Sequence, residues 1–171
     1  MGRDPQGARR MLVDFSDYLR VGLLQLRHAD STLAQELDMA RSYLQLFQIR
    51  MGNRLRYSID LDPQARVAIL PPLLLQPLIE NAILHELEPK VGGGAVLIHA
   101  RVREGRLEIT VTDDGLGLGA PQRRRRRGNG MALENIRARL RTRYDAKATL
   151  AVVALPAGTQ ACLHLPYLAQ P

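Results

Sequence analysis

Apolar residues fall at Leu33, Leu37, Ala40, Leu44, Phe47 and Met51, in alternating steps of four and three without a break. That spacing is the seam of a helix burying one stripe along its length. A strand would scatter the same residues over both its faces. Thr32 followed three residues later by Gln35 fits a capping box at the front of this helix, and Gly52 and Asn53 end it. Upstream, Leu12, Phe15, Leu19, Gly22 and Leu26 recur at helical spacing from about residue 9 to 27. Two helices joined by the short "HADST" interruption make an antiparallel hairpin. Such a hairpin cannot bury its whole seam alone. The stripe needs either a second copy, as in a four-helix bundle, or the domain that follows in the chain.

After Asn53 the periodicity changes. "RLRYSIDLD" alternates Leu55, Tyr57, Ile59 and Leu61 on one face and reads as a strand. Pro71 and Pro72 can open a helix, which then carries "LLLQPLIENAILHEL". "KVGGG" is a loop, and "AVLIHARV" and "RLEITVTD" flank Glu104 and Gly105 as a hairpin. Residues 131–143 are helical again, and "ATLAVVAL" and "TQACLHL" form a last hairpin around Ala157 and Gly158. This order predicts an α+β fold, a mixed sheet with helices on one face, preceded by a helical hairpin. The chain divides into that hairpin, 1–52, and a second unit, 53–171.

Composition removes several function classes. The formal charge of +7 invites nucleic acid. Yet only 4% of residues are aromatic, too few for base-stacking platforms, and there is no helix-turn-helix or zinc-finger pattern; no nucleic-acid partner is expected. The single cysteine, Cys162, excludes an internal disulfide framework and a multi-cysteine metal site; it reads as a buried structural thiol. The longest apolar run, "AILPPLLLQPLI", is too short to span a bilayer and is broken by prolines. With no signal peptide, a soluble cytoplasmic domain is expected.

Three short segments carry chemistry. In "IENAILHE", Asn81 and His85 are four apart on a helix face, with Glu80 beside them. A carboxylate, an amide oxygen and an imidazole there suit Mg²⁺, which prefers oxygen ligands and keeps several waters. In "VTDDGLGL", Asp113 ends a strand, where it can accept from an exocyclic amine, and Gly115 and Gly117 let backbone approach a ligand closely. In "GNGMALENIRARL", Gly128 and Gly130 lead into a helix, whose free N–H groups bind phosphate. The pattern is neither a P-loop nor a dinucleotide fingerprint. Each segment alone has a bland reading, as core residues, an ordinary turn or a common helix entry. Their combination is far more specific.

In this order and spacing the segments resemble the N, G1 and G2 boxes of the GHKL ATP-binding superfamily, and more narrowly those of sensor histidine kinases of the LytS and AlgZ type. The similarity covers residues 31–166 and includes the helix "LAQELDMARSYLQLFQIRMGNRL". The resemblance implies a GHKL (Bergerat) α/β sandwich with ATP and Mg²⁺ as cofactors. It implies that Asn81 ligates Mg²⁺ at the ATP phosphates and that Glu80 is catalytic, orienting water or assisting the metal. Asp113 would accept from the adenine amino group, and Gly115 and Gly117 would shape the adenine pocket and one hinge of a lid. Gly128 and Gly130 would form the other hinge, and His85 and Met131 count with the nucleotide-binding residues. The implied reaction moves the γ-phosphate to a histidine and then to an aspartate of a response regulator, LytTR-type regulators included. The implied assembly is a homodimer through the N-terminal helices, in a full-length protein anchored in the inner membrane.

The sequence departs from that family's pattern at several places. His28, His85, His99 and His164 all lack the H-F-x-F-N context of a phosphoacceptor, so the acceptor segment is expected to be missing and the chain is expected not to autophosphorylate. Leu84 stands where relatives often have a lysine, Glu86 where a glycine is common, Ala132 at the third glycine of G2, and Asp114 where asparagine is common. These changes keep open a nucleotide-independent, pseudokinase-like module that dimerises and binds a regulator. A chaperone, topoisomerase or mismatch-repair ATPase is disfavoured by the helical hairpin and the short lid. The five arginines at 123–127 fall within the lid. Their planar forks suit phosphate and are expected to replace part of the missing lysine charge; the alternative is a solvated run.

Overall fold

The computed structural model describes residues 29–118 and 129–169, together with Val13, Ser16 and Arg20, all three helical. The first predicted helix otherwise lies outside the described residues, as does the turn holding His28.

The predicted capping box is present. Thr32 Oγ1 accepts from Gln35 N at 3.3 Å, and Gln35 Oε1 accepts from Thr32 N at 2.9 Å. It opens helix α1 (Leu33–Met51), which ends at Gly52. Just before the helix, strand β1 (Ser31–Thr32) pairs antiparallel with β3 (Ile69–Leu70) in a short ribbon that the sequence did not announce. Between them runs β2 (Leu55–Leu61).

The main sheet adds β4 (Gly94–Arg103), β5 (Arg106–Asp113), β6 (Thr149–Ala154) and β7 (Thr159–Pro166). Its order is β2-β4-β5-β7-β6, with β2 parallel to β4 and the other neighbours antiparallel. This is the mixed sheet expected. The β4–β5 turn carries positive φ at both Glu104 (50°) and Gly105 (71°), the geometry of a tight hairpin whose twist matches its strands.

Period-two alternation decides which face is covered. Val96, Ile98 and Ala100, then Leu107, Ile109 and Val111, then Ala161, Leu163 and Leu165 are buried. Their neighbours Leu97, His99, Arg101, Thr110, Thr112, Gln160 and Cys162 face the other way and stay partly or fully exposed. Cys162 is therefore half-buried on the open face, not a core thiol. Burial still pushes its thiol pKa up.

Helices cover the other face. They are α1, α2 (Gln76–Asn81) with a following π turn (Ala82–Leu87), and α3 (Asn129–Tyr144). Leu33, Leu37, Ala40, Leu44 and Met51 of the seam share one core with Leu74, Leu78, Ile79, Ile83, Ile136 and Leu140, and Phe47 packs at its edge. The seam of α1 is thus covered by the following domain, one of the two partners its periodicity left open. Pro71 and Pro72 do not begin a helix. The helix starts five residues later at Gln76, with Pro77 in its first turn, because the amides of residues 73–75 are bonded to a side chain of α1.

Candidate nucleotide site

The alternation that builds the core also places Asp113. It is the last residue of β5 and continues the row of Leu107, Ile109 and Val111, so it points into the helix-covered side at 3% exposure. Register sets it between Val96 of β4 and Thr159 of β7. Asp113 Oδ1 accepts from Gly115 N at 2.9 Å, and Asp113 Oδ2 accepts from the hydroxyl of Thr159. Burial raises its carboxyl above the usual range, and the nearby Glu86 adds to the rise. The Thr159 and Gly115 hydrogen bonds oppose both. A carboxylate gripped on its inner lone pairs is held in one orientation for an outside donor.

The two glycines after it are needed for different reasons. A Cβ at Gly115 would lie 2.3 Å from the Cβ of Glu86, so the loop closes onto the π turn only without a side chain. Gly117 has φ of 81°, a left-handed conformation open to glycine at no steric cost. Its amide donates to Glu86 Oε2 at 2.6 Å, and Leu116 N donates to the Glu86 carbonyl at 3.3 Å. Asp114, next to Asp113, accepts from Ala95 N at 2.7 Å. An asparagine oxygen would accept the same bond, so Asp114 is a mild replacement there.

Asn81 closes α2. It is 6% exposed, and its Oδ1 has no hydrogen-bond partner among the described residues. A buried acceptor left bare costs about 1–3 kcal/mol, so this oxygen calls for a donor or a cation that the described residues do not supply. Glu80 is half-buried beside it and accepts from Gln76 Nε2 at 3.0 Å.

Beyond Asn81 the backbone widens into the π turn: Glu88 N donates to Ile83 O at 2.8 Å, five residues back. The wider turn leaves residues four apart on roughly the same side of the helix, so the backbone keeps the spacing that relates His85 to Asn81. His85 lies in this turn by its backbone; its side chain is outside the described residues. Glu86, one residue on, is fully buried against the Gly115 loop. π turns of this kind occur frequently at functional sites.

Gly130 lies in the first turn of α3, which starts at Asn129 instead of 131, and Met131 is 73% exposed. Gly128 and the arginines at 123–127 lie outside the described residues. Among the described residues no group of three or more His, Cys, Asp or Glu side chains is placed to hold a metal. An ion here would rest on Asn81 and on oxygens brought by a ligand, the usual habit of Mg²⁺ at phosphates. The bare Asn81 oxygen fits that demand. Thr159 and the anchoring role of Glu86 were not legible as site features, since neither follows from spacing along the chain.

A mixed sheet covered by helices on one face, with a buried aspartate at a strand end and a buried bare amide oxygen on a covering helix, defines a two-layer α/β sandwich with polar groups set into its core. Known proteins identify it further. Residues 68–169 match the family of histidine kinase-, DNA gyrase B- and HSP90-like ATPases, and residues 1–55 match a histidine kinase family. The chain belongs to the histidine kinase-, DNA gyrase B- and HSP90-like ATPase family. It is 31% identical to the sensor protein LytS of Staphylococcus saprophyticus over 96% of its length and 29% of that protein's. It is 33% identical to the sensor histidine kinase YesM of Bacillus subtilis over 75% of its length and 22% of that protein's. The chain spans less than a third of these relatives. The histidine kinase domain of a blue-light activated histidine kinase from Erythrobacter litoralis superimposes with a TM-score of 0.61 at 18% identity, covering 92% of this chain and 75% of that one. That likeness establishes the shared fold.

Proposed function

We propose that this chain is the ATP-binding catalytic region of a two-component sensor histidine kinase. The nucleotide binds with its adenine amino group on Asp113 and its phosphates at the Asn81 end. The γ-phosphate then passes to a histidine other than the four of this chain, for relay to a response regulator aspartate. The observation that carries this reading is the bare, buried Asn81 Oδ1, an acceptor held ready for a cation beside a negatively charged ligand.

Mg²⁺, when bound, neutralises charge on the phosphates. Asn81 would hold it, and Glu80, kept in place by Gln76, would orient water or assist the metal. Asp113 selects the base. Gly115 and Gly117 shape the adenine pocket and one hinge of a lid, Gly128 and Gly130 form the other hinge, and the arginines at 123–127 between them take over part of the charge that a lysine at Leu84 would supply. Phosphoryl transfer asks a protein mainly for positioning and charge neutralisation, and these residue types provide both. The nucleotide site lies within 53–171. Within residues 1–52, α1 packs its seam on the nucleotide domain and connects it to the segment before it, to which dimerisation falls. Response-regulator docking and an inner-membrane anchor belong to the larger protein. Among the described residues no helix is long and apolar enough to cross a membrane.

The test is displacement of a fluorescent ATP analogue by ATP and by GTP in Mg²⁺ buffer. Guanine presents a carbonyl where adenine presents its amine, and Asp113 would face that oxygen without a proton to share. ATP is expected to displace the probe at concentrations at least about a hundredfold lower than GTP, as for a site built to hydrogen-bond one group. Equal displacement by both would refute the assignment of Asp113 to the base.

A further inference from the structure

One turn between α1 and the nucleotide domain is held from two sides. Leu73, half-buried, has φ of 55°, a left-handed conformation that bulky side chains rarely adopt. Leu73 N at 2.7 Å, Leu74 N at 2.8 Å and Leu75 N at 3.1 Å all donate to the carboxylate of Glu36 on α1. From the other side the guanidinium of Arg139 on α3 donates to the Pro72 and Leu73 carbonyls. Glu36 is 3% exposed. Burial raises its carboxyl, while the three amides and Arg139 draw it down.

This turn is the start of α2. The residue capping α2, Leu75, offers no side-chain hydrogen bond, and the first amides of any helix lack partners inside it. Glu36, on a different helix and 37 to 39 residues earlier in the chain, takes the first of these amides, that of the capping residue Leu75, together with the amides of Leu73 and Leu74 just before the helix, and so fixes the turn from which α2 starts. A negative charge there also suits the positive end of the helix. Six residues beyond the cap stands Asn81. The carboxylate that fixes where α2 begins therefore fixes where the bare Oδ1 ends up.

We propose that Glu36 is a positioning residue for the metal end of the nucleotide site. Through it α1 sets the placement of α2 and of Asn81, and Arg139 ties α3 to the same joint. This rests on the ATP reading above. Its consequence is reciprocal: a displacement of α1 changes affinity for the metal–nucleotide pair, and binding of that pair stiffens the α1 joint.

The experiment is calorimetric titration of ATP, with Mg²⁺ and with a chelator, onto the parent chain, Glu36→Gln and Arg139→Gln. A glutamine at 36 offers one oxygen to three amides and turns an N–H toward them. The gain in affinity that Mg²⁺ confers is expected to fall about tenfold in Glu36→Gln, the scale of a lost supporting partner, and by less in Arg139→Gln. Metal-free affinity, set by Asp113, stays at the parent value. General destabilisation would lower both affinities together. If both variants fold and keep the parent's Mg²⁺ gain, the proposal is wrong. If Glu36→Gln does not fold, Arg139→Gln decides, since its half-exposed side chain only grips the turn from outside. A parent chain that binds ATP in neither buffer refutes the ATP reading, and this proposal with it.

Discussion

At the scale of single residues the site is held under tension between stability and ligand. Asp113 is desolvated in the folded chain, so its carboxyl sits above its unfolded value. A raised acid contributes stability that is present below the unfolded pKa and lost as pH rises through the folded one. At neutral pH the domain therefore carries the cost of a buried anion next to Glu86. Asp113→Asn keeps the shape and the Gly115 bond while removing the charge. Its melting temperature at pH 7.5 is expected to exceed the parent's, with the gap narrowing as pH falls toward about 4, and its ATP affinity should drop. Thermal melts across that range check it; a variant less stable than the parent at neutral pH would show that the Thr159 bond to the carboxylate outweighs desolvation. Asn81 embodies the same compromise with an uncharged group, since its bare oxygen costs stability until a ligand meets it.

At the scale of elements, what could be read from the sequence was what is local. The capping box of α1, the Glu104–Gly105 hairpin and the strand end at Asp113 all follow from spacings of two to four residues. Alternation along β5 was enough to turn Asp113 inward. The π turn was not legible, since nothing in "AILHEL" separates it from an α-helix. Nor were the carboxylate of Glu36 on residues 73–75 or that of Glu86 on Gly117, bonds that span more than thirty positions and leave no periodic mark. The delayed start of α2 at Gln76 has the same origin. Periodicity identified the seam of α1 but not the surface that covers it. Leu33, Leu37 and Leu44 are all at 2% exposure or less. At about 2 kcal/mol each they approach the net stability of an ordinary domain, roughly 5–15 kcal/mol. A chain of residues 53–171 is accordingly expected to lose its cooperative thermal transition, while one of residues 29–171 keeps it. Circular dichroism melts compare the two, and a shorter chain that melts cooperatively at the parent temperature would show α1 to be an appendage.

At the scale of the whole molecule, one sheet covered on one face organises everything else. Its open face is mostly polar; its covered face ends in Asp113; and the covering helices bring Asn81 from α2 and Arg139 from α3 to the same side. Glu36 makes α1 part of that arrangement. Glu86, expected from the sequence to disturb the site, is built into the Gly115–Gly117 loop instead of blocking it. We propose that this arrangement holds Mg-ATP with its base at Asp113 and its metal at Asn81. Calorimetric titration of Mg-ATP onto the parent chain, Asn81→Ala and Asp113→Ala tests it most directly. The parent is expected to bind saturably, with affinity weakened at least about tenfold in each variant and Asn81→Ala as thermally stable as the parent. Parent binding left unchanged by both substitutions would contradict it.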